Sequence, residues 1–411
     1  MLPTTAPETV RESRVGTNLS GWGEALFARR RIVEPIAIFL LIRMIGLLVL
    51  GRFAQLHDRS LGDLLGAWDG KWLLAIAEHG YAHVPATQTD AYGIHTPTTA
   101  YAFFPGFPYV VRLVSQLPGV SPFGAAIALN VVFGCAASVA VYRIGVFCAE
   151  SMSGRQRVFG DPGPIDSDRA GLLLTALFAA APMGIVFSMA YTEAMFCALA
   201  AWALVGVLER RWLLAGLCTL AAGFSRPNAV VLIVVVALAA FINRRDGWRA
   251  WAAIALSPIG YGTYMCIVWA RSGHIDGWSR IQTDGWGTTF DWGKSTWRFI
   301  DYSLVNTSEV ASVASSWLVI GTCVLVLVMW GERVPWQISL YGTGLAASIV
   351  LTSGLMISRP RLLLPAFVIM VPLAIGLARS RLPMQLTACG VMIVFSSWFG
   401  AHMLAVFPHA I

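Results

Sequence analysis

Apolar residues run along this chain in long blocks separated by short polar stretches. The blocks fall at 33–56, 123–148, 170–188, 192–208, 212–224, 228–242, 250–270, 310–330, 337–357, 362–379 and 384–404. Most approach the length at which a helix crosses a bilayer, about 17–25 residues. The pattern predicts an all-α polytopic membrane protein of about 11 transmembrane helices. Blocks 212–224 and 228–242 are short, so they are expected to be tilted, broken or re-entrant. The segment "GFSRPNA" between them would then line a cavity at membrane depth, where irregular backbone is tolerated. Residues 1–28 are polar and read as a disordered cytoplasmic tail, and 29–411 as a single transmembrane domain.

Composition agrees with this reading. The chain is 57% hydrophobic and 12% charged, against about 25% charged in soluble domains. The net charge of +7 is carried largely by short loops. Positive loops mark the cytoplasmic side. They include Arg29–Arg31, Arg155 with Arg157, Arg210 with Arg211, 243–249, Arg333 and 379–381. If all are cytoplasmic, the N-terminus lies inside. The long segments 57–122 and 271–309 then form a first and a second outer loop, and 188–193, 225–228 and 358–361 also face outside. The stretch 102–119 is short, with Pro105, Pro108 and Arg112 inside it, and is expected to lie at the outer surface as an interfacial helix. The alternative is a true span compensated by a re-entrant 212–242.

Several function classes drop out. No basic stretch has the aromatic interleaving of a nucleic-acid surface. No phosphate-cradling glycine loop or dinucleotide fingerprint occurs. The seven cysteines, Cys135, Cys148, Cys197, Cys218, Cys266, Cys323 and Cys389, lie in or beside apolar blocks with no Cys-x-x-Cys pair, and read as small core residues. His57, His79, His83 and His95 match no metal template. No cofactor is expected, with a divalent metal left open. An outer-face membrane enzyme lacks cytoplasmic nucleotides, so a lipid-linked donor is its natural substrate.

The remaining polar residues collect on the presumed outer face, where charges close to a bilayer more often mark sites than decorate. In "AWDGKWLLAIAEHGY" (67–81), Asp69 is a candidate general base for an acceptor hydroxyl. Its other reading is a helix N-cap. Trp68 and Trp72 would supply a sugar-stacking face, with Lys71 beside them. Tyr191 and Glu193 lie where one block ends and the next begins, and Glu193 also reads as a first-turn helix acid. Ser225-Arg226-Pro227-Asn228 and Ser358-Arg359-Pro360-Arg361 each put arginine at a proline-broken junction. Arginine's planar donor fork suits phosphate. Arg226, Arg359 and Arg361 are therefore candidates for a donor phosphate, although Arg359 and Arg361 also read as interfacial snorkelers. The loop 271–297, rich in Trp, Asp and Gly, suits carbohydrate or an ordered Asx-turn loop.

The succession "WDGKWLLAIAEHGY", "AFFPGFPYVVRLVS", "AYTEAMFCALAAWAL", "GFSRPNAVVL" and "SRPRLLLPAF" resembles the PIG-V family, glycolipid-anchor mannosyltransferases with actinobacterial relatives, over roughly residues 33–380. The resemblance implies a GT-C glycosyltransferase fold whose first outer loop carries juxtamembrane helices and a catalytic acid, here Asp69. It implies a polyprenyl-phosphate-mannose donor and a glycolipid or lipoglycan acceptor. Glu193 is the acid of the second motif, and Tyr191 and Asn228 join Trp68, Lys71 and Trp72 as sugar or acceptor contacts. "WDGKW" departs from relatives in carrying Gly70 and Lys71. Two alternatives stay open: another lipid-linked sugar, arabinofuranose or glucose, and a lipid or sugar transporter, although no internal repeat of the transporter kind is visible.

Overall fold

The protein is seen in a computed structural model that describes residues 16–154 and 164–409. Residues 1–15 of the polar tail and the Arg155/Arg157 loop lie outside the described residues. Among the described residues the architecture is helical, with one isolated bridge, Phe290 to Thr352, and no strand.

Helix α1 (Gly16–Leu56) runs through Pro35 and carries the first apolar block. The first loop holds α2 (Leu61–Leu65), α3 (Asp69–His79) and α4 (Gly106–Val114). Ser60 caps α2 by accepting from the Asp63 amide at 3.0 Å. Nine residues give α4 about 13 Å of length, far short of the roughly 30 Å hydrocarbon core. The stretch 102–119 is therefore a short helix with irregular flanks. Close approach fixes it: Gly106 N donates to Phe224 O at 2.7 Å, and a Cβ on Gly106 would sit 2.8 Å from that oxygen.

Helix α5 (Pro122–Met152), capped by Ser121, packs closely against α6 (Ser167–Ala179), capped by Asp166. At the crossing a Cβ on Gly145 would meet Gly171 Cα at 2.8 Å, and one on Gly171 would meet Tyr142 Cδ2 at 2.7 Å. Such small-residue contacts let membrane helices approach where lipid gives no hydrophobic drive. The bundle continues through α7 (Glu193–Leu208), α8 (Trp212–Gly223), α9 (Ala229–Ile242), α10 (Trp248–Leu256) and α11 (Ile259–Ser272). The second loop holds α12 (Gly277–Trp286) and α13 (Lys294–Val305). Then come α14 (Val310–Gly331), α15 (Trp336–Val350), α16 (Arg359–Leu362), α17 (Val371–Ala378) and α18 (Leu382–Ala405).

Every predicted block is largely helical, but fewer helices than expected have spanning length. Five described helices are long and apolar enough: Arg30–Leu56, Pro122–Met152, Trp248–Ser272, Val310–Gly331 and Leu382–Ala405. A sixth forms if Met356–Leu362 and Leu364–Ala378, bent by 62°, count as one. Helices α7, α8 and α9 are shorter apolar helices. The chain is a multi-pass membrane protein. Part of the shortfall has a covalent cause: Pro182 and Pro227 stand at the breaks after α6 and α8, and proline removes a helical hydrogen bond.

One break organises the interior. Between α6 and α7 the chain forms a strap, 180–192, in which every residue except Pro182 is buried. Its backbone groups need partners away from water. Arg43 of α1 donates to Ala179 O, and Ser396 of α18 to Ala181 O at 2.6 Å. Asn130 of α5 donates to Met189 O, and to Tyr191 O at 3.0 Å. The Ala190 amide donates to Leu65 O at 2.9 Å, tying the strap to the first loop.

If α4 is interfacial, single cysteines at Thr89 and Gln116 should react with a membrane-impermeant maleimide from the same side of sealed vesicles. Labelling from opposite sides would make 102–119 a span.

Candidate active site

Helix α3 begins with an unusual backbone. Trp68 occupies the N-cap position at φ 48°, ψ −113°, with no side-chain capping bond. A non-glycine residue at positive φ is strained and persists only where its surroundings fix it. Asp69 is therefore the first helical residue and not the cap. Its carboxylate turns into the protein, where Arg361 donates to Oδ2 at 2.7 Å. Tyr191 holds the approach to α3 from below, its hydroxyl donating to Ala67 O at 3.1 Å. The Arg361 guanidinium lies over the Tyr191 ring, 5.1 Å from its centroid.

Glu193 opens α7 and is 1% exposed. Arg226 lies 2.6 Å from Glu193 Oε1 and donates to Thr192 Oγ1 at 2.9 Å. Arg361 Nε lies 3.7 Å from the same Oε1. Asp69, Arg361, Glu193 and Arg226 thus form one chain of alternating charge, drawn from α3, α16, α7 and the α8–α9 break. Burying such charges is tolerable only because each faces an opposite partner.

Arg359 behaves differently. Its guanidinium donates to Ile349 O and Thr352 O at the end of α15, and Nε to Met356 Sδ at 3.0 Å. It braces backbone and does not snorkel, being 2% exposed. Neutral carbonyls satisfy its donors but leave its charge uncancelled. The second loop supplies Asp291, a surface carboxyl held below the usual range first by Ser295 and further by the charge of Arg359.

These groups line a 740 Å³ cavity. Its charged lining is Asp69 and Glu193 against Arg226, Arg359 and Arg361, two anions and three cations, so a net +1. The same lining carries an aromatic wall that includes Phe103, Phe104, Tyr261, Trp278, Trp286 and Phe290. Two bonds knit the loops that form this wall: Trp278 Nε1 and Gln282 Nε2 donate to Ala102 O at 3.4 and 3.1 Å.

Of the residues singled out in the sequence, Asp69, Tyr191, Glu193, Arg226, Asn228, Arg359 and Arg361 meet in this cavity. Trp68, Lys71 and Trp72 are not part of its lining. Lys71 is exposed, Trp68 packs on the main core, and Trp72 is buried against Phe103 and His95 at centroid distances of 5.3 and 6.3 Å. A helix turns about 100° per residue, so the turn that aims Asp69 inward aims its neighbours elsewhere. Ser225 and Ser358 carried no signal apart from the quoted Ser-Arg-Pro triplets, whereas Trp278, Trp286 and Phe290 of the aromatic wall lie in the loop 271–297 that the sequence marked as suited to carbohydrate. Among the described residues no three His, Cys, Asp or Glu side chains cluster to hold a metal.

Comparison with known proteins gives this geometry a context. Residues 47–242, which include Asp69, Glu193 and Arg226, match the family model for mannosyltransferase (PIG-V). Over this stretch the chain is similar to that family. It is 30% identical over 192 residues to the GPI alpha-1,6-mannosyltransferase 2 of Mus musculus, covering 44% of this chain and 32% of that protein. For the Rattus norvegicus protein the figures are 29% over 194 residues, 44% and 33%. The match thus spans about a third of the length of these curated relatives. Among solved structures, ArnT from Cupriavidus metallidurans bound to undecaprenyl phosphate superposes with a TM-score of 0.52 at 14% identity, over 91% of this chain and 69% of that one. The chain therefore has the fold of that protein, the GT-C fold. Arg359 and Arg361 lie beyond the family match, yet the fold returns Arg361 to Asp69.

The network predicts a stability effect. Arg226→Ala leaves the buried Glu193 without its nearest counter-charge, a loss of about 3–5 kcal/mol, read as a marked drop in thermal unfolding temperature of the detergent-purified protein. Adding Glu193→Gln should restore part of that drop. Equal stability of Arg226→Ala and wild type would show that the pair carries no such weight.

Proposed function

We propose that this protein is a membrane glycosyltransferase that moves mannose from a polyprenyl-phosphate donor to a glycolipid or lipoglycan acceptor on the non-cytoplasmic face. The observation that carries the proposal is the Asp69–Arg361 pair inside a cavity of net positive charge. The family match over the Asp69-bearing half and the GT-C fold support it. ArnT is seen with undecaprenyl phosphate, which fits a lipid-phosphate donor. Val230 lines the cavity yet is 42% exposed on α9, consistent with a substrate entering from lipid.

In this reading the acceptor hydroxyl oxygen attacks the anomeric carbon while Asp69 takes its proton. The bond from that carbon to the phosphate oxygen breaks, and polyprenyl phosphate leaves with the electron pair. Displacement inverts the anomeric centre, so a β-linked donor gives an α-linked product. Arg361 has two roles. Before donor arrives it holds Asp69 in place. The donor phosphate then offers it a competing anion, and its movement toward that anion frees the carboxylate to act as base. Arg359, whose hydrogen bonds go only to neutral groups, adds attraction for the phosphate, and Arg226 faces the charge of Glu193 nearby. The basic loops between blocks support an outward-facing site.

Purified Asp69→Asn is expected to fold and to lose about 10²–10⁴-fold in transfer from polyprenyl-phosphate mannose, the usual cost of a missing general base. Near-normal turnover by that variant would remove Asp69 from the chemistry.

A further inference from the structure

The tripeptide Ser-Arg-Pro occurs at 225–227 and again at 358–360. Each copy sits at a helix break, and each puts its serine into the same cavity. Ser225 and Ser358 are both 2% exposed, and neither hydroxyl has a hydrogen-bond partner among the described residues. Glu193 Oε2, Arg226 Nε and Arg361 Nε likewise lack a hydrogen bond, although Arg361 Nε lies 3.7 Å from Glu193 Oε1, and their residues line the same cavity. Buried polar atoms in folded proteins are nearly always hydrogen-bonded, so five without a hydrogen bond around one cavity point to something that enters it.

The chemistry of the five narrows what that is. Glu193 Oε2 accepts only, the two arginine Nε–H groups donate only, and the two serine hydroxyls do both. At these atoms a second anion beside the donor phosphate would be repelled by Glu193 and a cation by the arginines, while an apolar group would leave all five without a hydrogen bond. A polyhydroxyl ring offers O–H donors and oxygen lone pairs together. We propose that Ser225, Ser358 and Glu193 form a floor that recognises the ring hydroxyls of the transferred sugar, with the serines as specificity-determining residues. This rests on the transferase reading above and names which side chains select its sugar. The two copies are placed by helix ends: Ser225 and Arg226 lie in the turn between α8 and α9, and Ser358 precedes α16, which opens with Arg359 and Pro360.

The test uses Ser225→Ala and Ser358→Ala in the full-length detergent-purified protein, with polyprenyl-phosphate mannose and its four mono-deoxy analogues as donors. Thermal unfolding confirms that each variant is folded, and Ser225→Cys and Ser358→Cys replace any alanine variant that is not. Each variant should lower kcat/KM for the parent donor about three- to tenfold, the effect of one neutral hydrogen bond. Each should show no further loss on the one deoxy donor that lacks its hydroxyl, because the two deletions remove the same interaction. The matching hydroxyl should differ between the two serines. An equal fold-loss on all five donors, or no loss on any, overturns the inference while leaving transfer itself intact. Wild-type protein that transfers from none of the donors overturns the transferase reading and this inference together.

Discussion

Asp69 and Arg361 meet at 2.7 Å from opposite ends of the chain. In a membrane protein such a pair constrains much else. A carboxylate and a guanidinium at the lipid level are costly unless they face each other in a largely enclosed space. Their meeting requires the first loop to fold back over the helix ends and requires α16 to break from α17 at the right height. Glu193 and Arg226 extend the same logic, each charge made tolerable by the next, until four separate elements converge on one cavity.

The strap between α6 and α7 is the mechanical counterpart of that network. It carries Tyr191 and Glu193 to the cavity without the self-sufficiency of a helix, so its carbonyls and the last carbonyl of α6 draw donors from three spans: Asn130 and Ser396 to the strap, Arg43 to Ala179. None of the three is itself part of the cavity lining, yet Asn130 bonds the backbone of Tyr191, which is, and together they set where Glu193 begins its helix. Intramembrane polar residues here hold irregular backbone in place so that charged residues elsewhere can face one another.

Much of this was legible in the sequence. Apolar block length showed an all-helical membrane chain, and the proline count in 102–119 indicated a helix too short to cross. Charges that survive in an apolar chain pointed to Asp69, Glu193, Arg226, Arg359 and Arg361, which do share one cavity. Side-chain direction was not legible. Trp68, Lys71 and Trp72 sit within three positions of Asp69 but face other surroundings, because neighbours along a helix point to different sides. Span count was not legible either: composition does not say where a proline ends a helix, and several blocks stop short of spanning length. Nor does local pattern separate Arg359, which braces carbonyls, from Arg361, which faces a carboxylate. Both stand in one tetrapeptide, and only the tertiary fold distinguishes their partners.

The central claim is that Asp69 and Arg361 act as one unit across the fold. A double-mutant cycle tests it directly, with Asp69→Asn, Arg361→Gln and both together measured by unfolding of the detergent-purified protein. The account predicts that the double variant loses less than the sum of the singles, with a coupling of about 1–3 kcal/mol. Additivity of the two losses to within about 0.5 kcal/mol would contradict it.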